Sequence, residues 1–141
     1  MRFLVIVKAS PDSEAGVMPS AEMLDAMGKF NNELIAAGVM LDGGGLRDSA
    51  KGARVNFDGP EPMVIDGPFA ETKELIAGYW IWQCKDLAEA IAWLKKAPFE
   101  EGAVEIRPFF EPEDFEGIAS DEIVQQEIGW REKQAKTAQQ A

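Results

Sequence analysis

The stretch IDGPFAETKE, residues 65–74, decides how this chain is read. A β-branched residue, Ile65, runs into Asp66-Gly67-Pro68, then Phe69, then charges of both signs around Thr72. A residue before proline is pushed out of the helical region, so Gly67 is expected to be extended. Pro68 suits the first position of a short helical turn, where its missing N–H costs nothing. Asp66 is then placed to accept hydrogen bonds from the free N–H groups of that turn. The expectation is a strand that ends at Asp66, turns sharply and starts a short helix, with Phe69 pinned into the core. A second role is compatible with the first: a strand-end carboxylate facing a pocket, acting as general base or ligand anchor.

Upstream, residues 53–57 and 62–66 flank Asp58-Gly59, a hairpin signal, and are expected to pair antiparallel. The run RFLVIVK, 2–8, is apolar and β-branched, as a central strand buried on both faces would be. Residues 9–19 read as loop, and Ser20 caps a helix from about Ala21. Met23, Met27, Phe30 and Leu34 form its apolar stripe, widened by Leu24 and Ile35, and Gly38 stops it. Residues 39–46 form a strand that loses its side chains at Gly43-Gly44-Gly45. Downstream, YWIWQC at 79–84 is an aromatic strand. Asp86 and Glu89 resemble a capping box for a helix whose face is Leu87, Ala90, Ile91, Leu94 and Ala97, ended by Pro98. Residues 103–110 form a last strand, 111–116 an acidic loop, and Ser120 opens a polar tail striped by Ile123, Val124 and Ile128.

The order is β-α-β, hairpin, β-α-β. This predicts an α+β fold: a ferredoxin-like (split βαβ) antiparallel sheet with an inserted β-hairpin, over residues 1–118, and a C-terminal helical tail over 119–141. Both helices cover one sheet face, and no third long helix is expected inside the core. The doubly apolar strands 2–8 and 79–84 therefore predict a homodimer through the second face.

Composition excludes several functions. The 141 residues suit one domain, which can bury roughly 68% of its unfolded surface. A net charge of −11 argues against nucleic acid or an anionic membrane surface as partner. The apolar run at the start is too short for a signal peptide or a membrane span, so a cytoplasmic location is expected. One cysteine, Cys84, excludes an internal disulfide and a cysteine-only zinc site. There is no histidine, so no imidazole base, triad or histidine-held metal exists. No metal and no cofactor are expected.

VIDGPFAETKE at 64–74, with MRFLVIVKA at 1–9 and EIRPFFEPEDF at 105–115, resembles the YCII-related family, specifically its DGPF subgroup, over residues 1 to about 116. The resemblance implies a dimeric α/β barrel in a cytoplasmic bacterial protein, in a family whose members mostly lack an established activity. Some members of the wider family are thought to use a histidine-aspartate pair. Where relatives carry Gly-Glu-Gly-Leu-His, this chain has Gly43-Gly44-Gly45-Leu46-Arg47, without the carboxylate and the imidazole. The subgroup's association with extracytoplasmic-function sigma factors implies a regulatory role as the alternative.

The candidate site follows from these residues. Asp66 is the candidate catalytic carboxylate. Lys8, at the end of the first strand, is an ammonium for Asp66 or an anionic ligand, or else a charge reaching solvent. Arg47 offers a bidentate grip on a ligand carboxylate or a surface charge. Lys73, beside Glu71, reads as a solvated charge or a ligand contact, and Tyr79 as pocket lining or core. The acids 111–116 read as solvated, and Met18, Met23, Met27 and Met40 as core filler. The expected function is binding of a small organic molecule in a cleft between sheet and loops.

Overall fold

The computed structural model describes residues 1–140. The elements are β1 (Arg2–Lys8), α1 (Pro11–Glu14), α2 (Ala21–Ala36), β2 (Met40–Gly45), β3 (Ala53–Asn56), β4 (Met63–Asp66), β5 (Ile76–Gln83), α3 (Leu87–Leu94), β6 (Val104–Pro108) and α4 (Asp121–Gln140). Short 3₁₀ turns lie at Ser49–Lys51 and Pro112–Phe115. The main sheet has the order β2-β5-β1-β6 and every neighbouring pair is antiparallel. Hence β1 and β2 run parallel but are split by β5, and β5 and β6 are split by β1. The architecture is mixed α+β with antiparallel sheets, and β3 and β4 form a separate two-stranded sheet.

Side chains alternate across a strand, and here that period sorts core from open face. Phe3 and Val5 of β1 sit opposite Trp82 and Trp80 of β5, and all four are buried. Phe30 and Leu34 of α2, Val39, Cys84 and Ala90 of α3 complete the core. Phe30 meets both tryptophans edge-on, at centroid distances of 5.9 and 6.2 Å, a geometry worth about 0.5–1.5 kcal/mol per pair beyond area burial. The Trp80 indole N–H donates to Asn31 Oδ1 at 2.9 Å, so α2 is held by a polar contact as well.

Local sequence explains the helix ends. The Ser20 hydroxyl accepts from the Met23 N–H. At the other end of α2, Gly38 takes φ 72°, while the Gly38 N–H donates to the Ile35 carbonyl and the Val39 N–H to that of Leu34. This Schellman closure drops Leu34 and Val39 together into the core. The Asp86 carboxylate caps α3 through the Glu89 N–H, as the sequence predicts.

Several boundaries differ. The segment 9–19 contains α1, capped by Ser10, whose hydroxyl accepts from the Ser13 N–H. β5 begins at Ile76, three residues before 79, and all of Gly43-Gly44-Gly45 belongs to β2. α3 closes at Leu94, before Pro98, as the Lys96 and Ala97 N–H groups turn back on Trp93 and Leu94. Leu24 and Ile35 are exposed rather than part of the stripe, and Met18 is exposed rather than core filler.

A larger expectation is corrected. No helical turn starts at Pro68: β4 ends at Asp66, the Gly67–Pro68 peptide is cis, and the next turn is at 72–74. The amides that a helical turn would leave free are paired elsewhere. The Gly67 N–H donates to the Gly52 carbonyl and the Phe69 N–H to Ser49 Oγ. Phe69 is half-buried beneath the Arg54 guanidinium, 3.9 Å from its ring centroid, not pinned in the core. The C-terminal tail is a helix, as the sequence predicts. α4 packs against β2 and the Pro112–Phe115 turn of its own chain, burying Val124.

Two substitutions test this packing by urea unfolding. Trp82→Ala empties the centre of the core and is expected to cost about 3–5 kcal/mol. A Cβ on Gly67 would overlap the Ser49 carbonyl oxygen. Gly67→Ala is therefore expected to cost about 1–3 kcal/mol, the range of overpacked sites, although the position is at the edge of the fold. A Gly67→Ala variant as stable as the parent would show that the 49–52 turn does not seat this loop.

Candidate functional site

The predicted site residues share one end of the sheet but not one pocket. β1 and β2 end there, and β5 begins. Lys8 pairs with Glu105 at 3.6 Å, on the face away from α2 and α3, not with Asp66. Tyr79 lies on that same face, and its hydroxyl donates to Asp42 Oδ2 at 3.3 Å. Trp80 and Trp82 point to the core, so the aromatic strand divides its side chains between two roles. Arg47 and Lys73 are exposed. Asp66 is also exposed at the end of β4, and no side-chain hydrogen bond reaches it among the described residues.

What the opening motif organises is a clasp. Ser49 Oγ accepts from the Phe69 N–H at 3.0 Å and donates to Glu14 Oε2, while the Ser49 N–H donates to Glu14 Oε1 at 3.0 Å. α1, the 49–51 turn and the Asp66–Phe69 loop thus meet at one hydroxyl. Glu71 reaches back to Arg54 at 3.4 Å, tying the same loop to β3. Neither Glu14 nor Ser49 stood out in the sequence, since their partners lie 35 and 20 positions away.

The chemically richer region is the open face of the sheet. There β1 contributes Arg2, Leu4, Ile6 and Lys8, β5 contributes Tyr79, Ile81 and Gln83, and β2 contributes Asp42. α4 lies across one end of this face, leaving a cleft of about 1050 Å³. Leu41, Ile81 and Ala135 give its apolar walls, and Arg2, Asp42, Glu111 and Arg131 its polar groups. The acids after β6 are therefore not all solvated. Glu111 accepts from the Arg2 backbone N–H at 3.2 Å and stands 3.6 Å from Arg2 Nε. Burial, and next the neighbouring Arg131, lowers the Arg2 pKa from its ordinary value.

A second hollow, of about 570 Å³, lies between α3 and β6. It is lined by Leu87, Ile91, Phe99 and other apolar side chains, with Lys95 as its charged member. That lining can hold an apolar group but presents no acid or base pair. Among the described residues, no group of three or more His, Cys, Asp or Glu side chains is arranged to hold a metal ion. Nor is any described helix long and apolar enough to cross a membrane. The Cys84 thiol is no nucleophile: burial, then the nearby Glu89 charge, pushes its pKa up to about 11.

Residues 1–113 match the YCII-related domain. The chain belongs to the YCII-related family. An uncharacterized protein of Rhizobium meliloti (strain 1021) is 39% identical over 59 residues, covering 40% of this chain and 48% of that protein. The match thus spans about half the length of that relative. Among solved structures, 5-chloro-2-hydroxyhydroquinone dehydrochlorinase from Burkholderia phenoliruptrix AC1100, complexed with 2,5-dihydroxybenzoquinone, superposes with a TM-score of 0.46. It is 16% identical, and the alignment covers 79% of this chain and 95% of that one. The YCII-related match takes in β1 through β6 and stops within the Pro112–Phe115 turn, so α4 lies beyond it.

Two outcomes are expected for this YCII-related chain. Asp66→Asn alters an exposed side chain with no side-chain partner among the described residues, so unfolding free energy is expected to change by no more than about 0.5 kcal/mol. A loss near the ~1 kcal/mol of a removed cap would mean that Asp66 holds the turn after all. Cys84 has a folded pKa above its ordinary value of 9.0, so its contribution to stability is complete below pH 9.0 and is lost as pH rises through about 11. A maleimide reagent at pH 8 is accordingly expected to label the native protein far more slowly than the urea-unfolded chain. Equal rates would refute the protected thiol.

Proposed function

We propose that this YCII-related protein binds a small organic molecule in the cleft between the open sheet face and α4. One observation carries the reading: apolar walls and a few convergent polar groups enclose about 1050 Å³, close to the size of small-molecule pockets in general. Binding is favoured over acid–base turnover. Asp42 is taken up by the Tyr79 hydroxyl and the Gly43 N–H, and Glu111 by Arg2. Neither carboxylate stands free as a base. The same reading assigns the chain to the DGPF subgroup and the cytoplasm, with a ferredoxin-like protomer closing a dimeric barrel. Leu4, half-buried on the open face and outside the cleft lining, supports the dimer.

Two measurements test this proposal. Thermal melts against a set of small neutral, anionic and cationic organic molecules are expected to yield a ligand that raises the Tm with concentration. The stabilisation at a hundredfold excess over Kd is about 2.7 kcal/mol. Ile81→Trp, which fills the cleft, is expected to abolish the shift. A shift that survives Ile81→Trp would place the site elsewhere, and a set that gives no shift would count against binding. Light scattering at micromolar concentration is expected to return twice the 15.5 kDa chain mass. A monomer mass would remove the dimer.

A second reading rests on the β3–β4 hairpin. Phe57, Met63 and Val64 are 75%, 64% and 67% exposed, and Val55 and Ile65 join them. An apolar patch of this kind favours an interaction surface, which would suit a regulatory role beside an extracytoplasmic-function sigma factor. Its discriminating outcome is binding of a purified sigma factor that is lost on Phe57→Lys with the fold intact.

A further inference from the structure

The cleft beneath α4 carries an unusual set of donors. Arg2 is the second residue of the chain, and only 12% of its side chain is exposed. Its guanidinium stacks on Phe109, with Cζ 4.6 Å from the ring centroid. Nε and Nη2 are buried and make no hydrogen bond among the described residues. These two nitrogens share one edge of the guanidinium, the edge that grips a carboxylate with two parallel N–H···O bonds. Glu111 does not fill this edge: it stands 3.6 Å from Nε, beyond hydrogen-bond range, and its Oε1 is held by the Arg2 amide.

Arg131 of α4 lines the same cleft. Its Nη1 donates to Gln134 Oε1 at 3.2 Å and its Nη2 pairs with Glu127 at 3.2 Å. Its Nε is buried and makes no hydrogen bond among the described residues. Among the described residues, three buried donors on these two arginines therefore lack acceptors. Leaving such donors unsatisfied costs free energy, and the repulsion between the two arginines, offset in part by Glu111 and Glu127, adds to that cost. A single anionic group accepting from both arginines removes both penalties. The cleft's rim also limits the ligand. Asp42, Glu113 and Glu132 are exposed carboxylates there, and they oppose a multiply charged anion. Leu41 and Ile81 provide a surface for an apolar body.

Resting on the cleft-binding reading, we propose that Arg2 and Arg131 form a carboxylate-binding site, and that the ligand is a small organic monocarboxylate. Arg2 grips the carboxylate edge-on and Arg131 adds a third donor from α4. The ligand thereby bridges β1 to the helix. Arg2 lies in the MRFLVIVKA stretch at 1–9, whereas Arg131 lies beyond the YCII-related match at residues 1–113.

Calorimetric titration with benzoate, benzamide and inorganic phosphate tests the site. Benzoate is expected to bind at least tenfold more tightly than its neutral isostere benzamide, and more tightly than phosphate. Arg2→Lys keeps the charge but loses the two-donor edge, so benzoate affinity is expected to fall at least tenfold. Because Arg2 is buried, Arg131→Gln on the helix surface provides a second variant. It is expected to weaken benzoate several-fold and leave benzamide unchanged, with circular dichroism and Tm reporting that both variants fold. If benzoate and benzamide bind alike and both are blocked by Ile81→Trp, the cleft reading stands and the carboxylate site is overturned. If benzoate binds neither better than phosphate nor with any sensitivity to Ile81→Trp, the cleft reading fails with it. Absence of any benzoate binding also overturns the proposal.

Discussion

Trp80 and Trp82 on β5 are the constraint on which the rest of the fold depends. Their rings lie 5.5 Å apart on one face of a strand that pairs with both β1 and β2. Two indoles side by side need a flat neighbour on one side and a deep helix layer above. Gly43 meets the first need: a Cβ there would come within 2.7 Å of Trp80 Cδ1. Phe30 of α2 and Phe99 beyond α3 meet the second, each edge-on to Trp80. Gly43 is thus the complement of an aromatic strand, whereas a Cβ at Gly44 would make only ordinary contact with Tyr79 and one at Gly45 would meet open space.

A similar logic governs the DGPF loop. Its backbone closes on the 49–52 turn so tightly that a side chain at Gly67 cannot fit. Once Gly67 and Phe69 donate to Gly52 and Ser49, the loop has no need of a helical turn or of the Asp66 carboxylate. Ser49 transmits the contact to Glu14, and so α1 is held as well. Three segments far apart in sequence therefore depend on one hydroxyl. The hairpin they anchor projects with its apolar side chains exposed, and its own two strands supply little burial.

Placing α2 and α3 on one face leaves the other face of the sheet available for chemistry. α4 partly covers it, and that cover makes a cleft out of what would be a flat surface. The burial of Arg2 follows from this: a charge at the first strand position is ordinarily solvated, but here the helix and Glu111 close over it. The cleft lies at the junction between the family domain and the segment that follows it.

Local patterns in the sequence determined most of the elements. The apolar run in residues 2–8, the stripe of Phe30 and Leu34, the caps at Ser20 and Asp86, the stop at Gly38 and the hairpin around Asp58-Gly59 all depend on neighbours within a few positions. Such signals survive without knowledge of the whole. Lys8 and Tyr79 also fell on the open face because strand period is local. The tertiary structure alone decided the rest. Which carboxylate meets Lys8, which hydroxyl receives the Phe69 amide, and where the narrow stripe of α4 docks are contacts between segments tens of residues apart. A lone serine, glutamate or arginine carries no periodicity that reveals its partner. Only the packed sheet, with α4 laid across it, brings Arg2 and Arg131 to one cleft, because burial and charge pairing are properties of the folded chain rather than of any stretch of it.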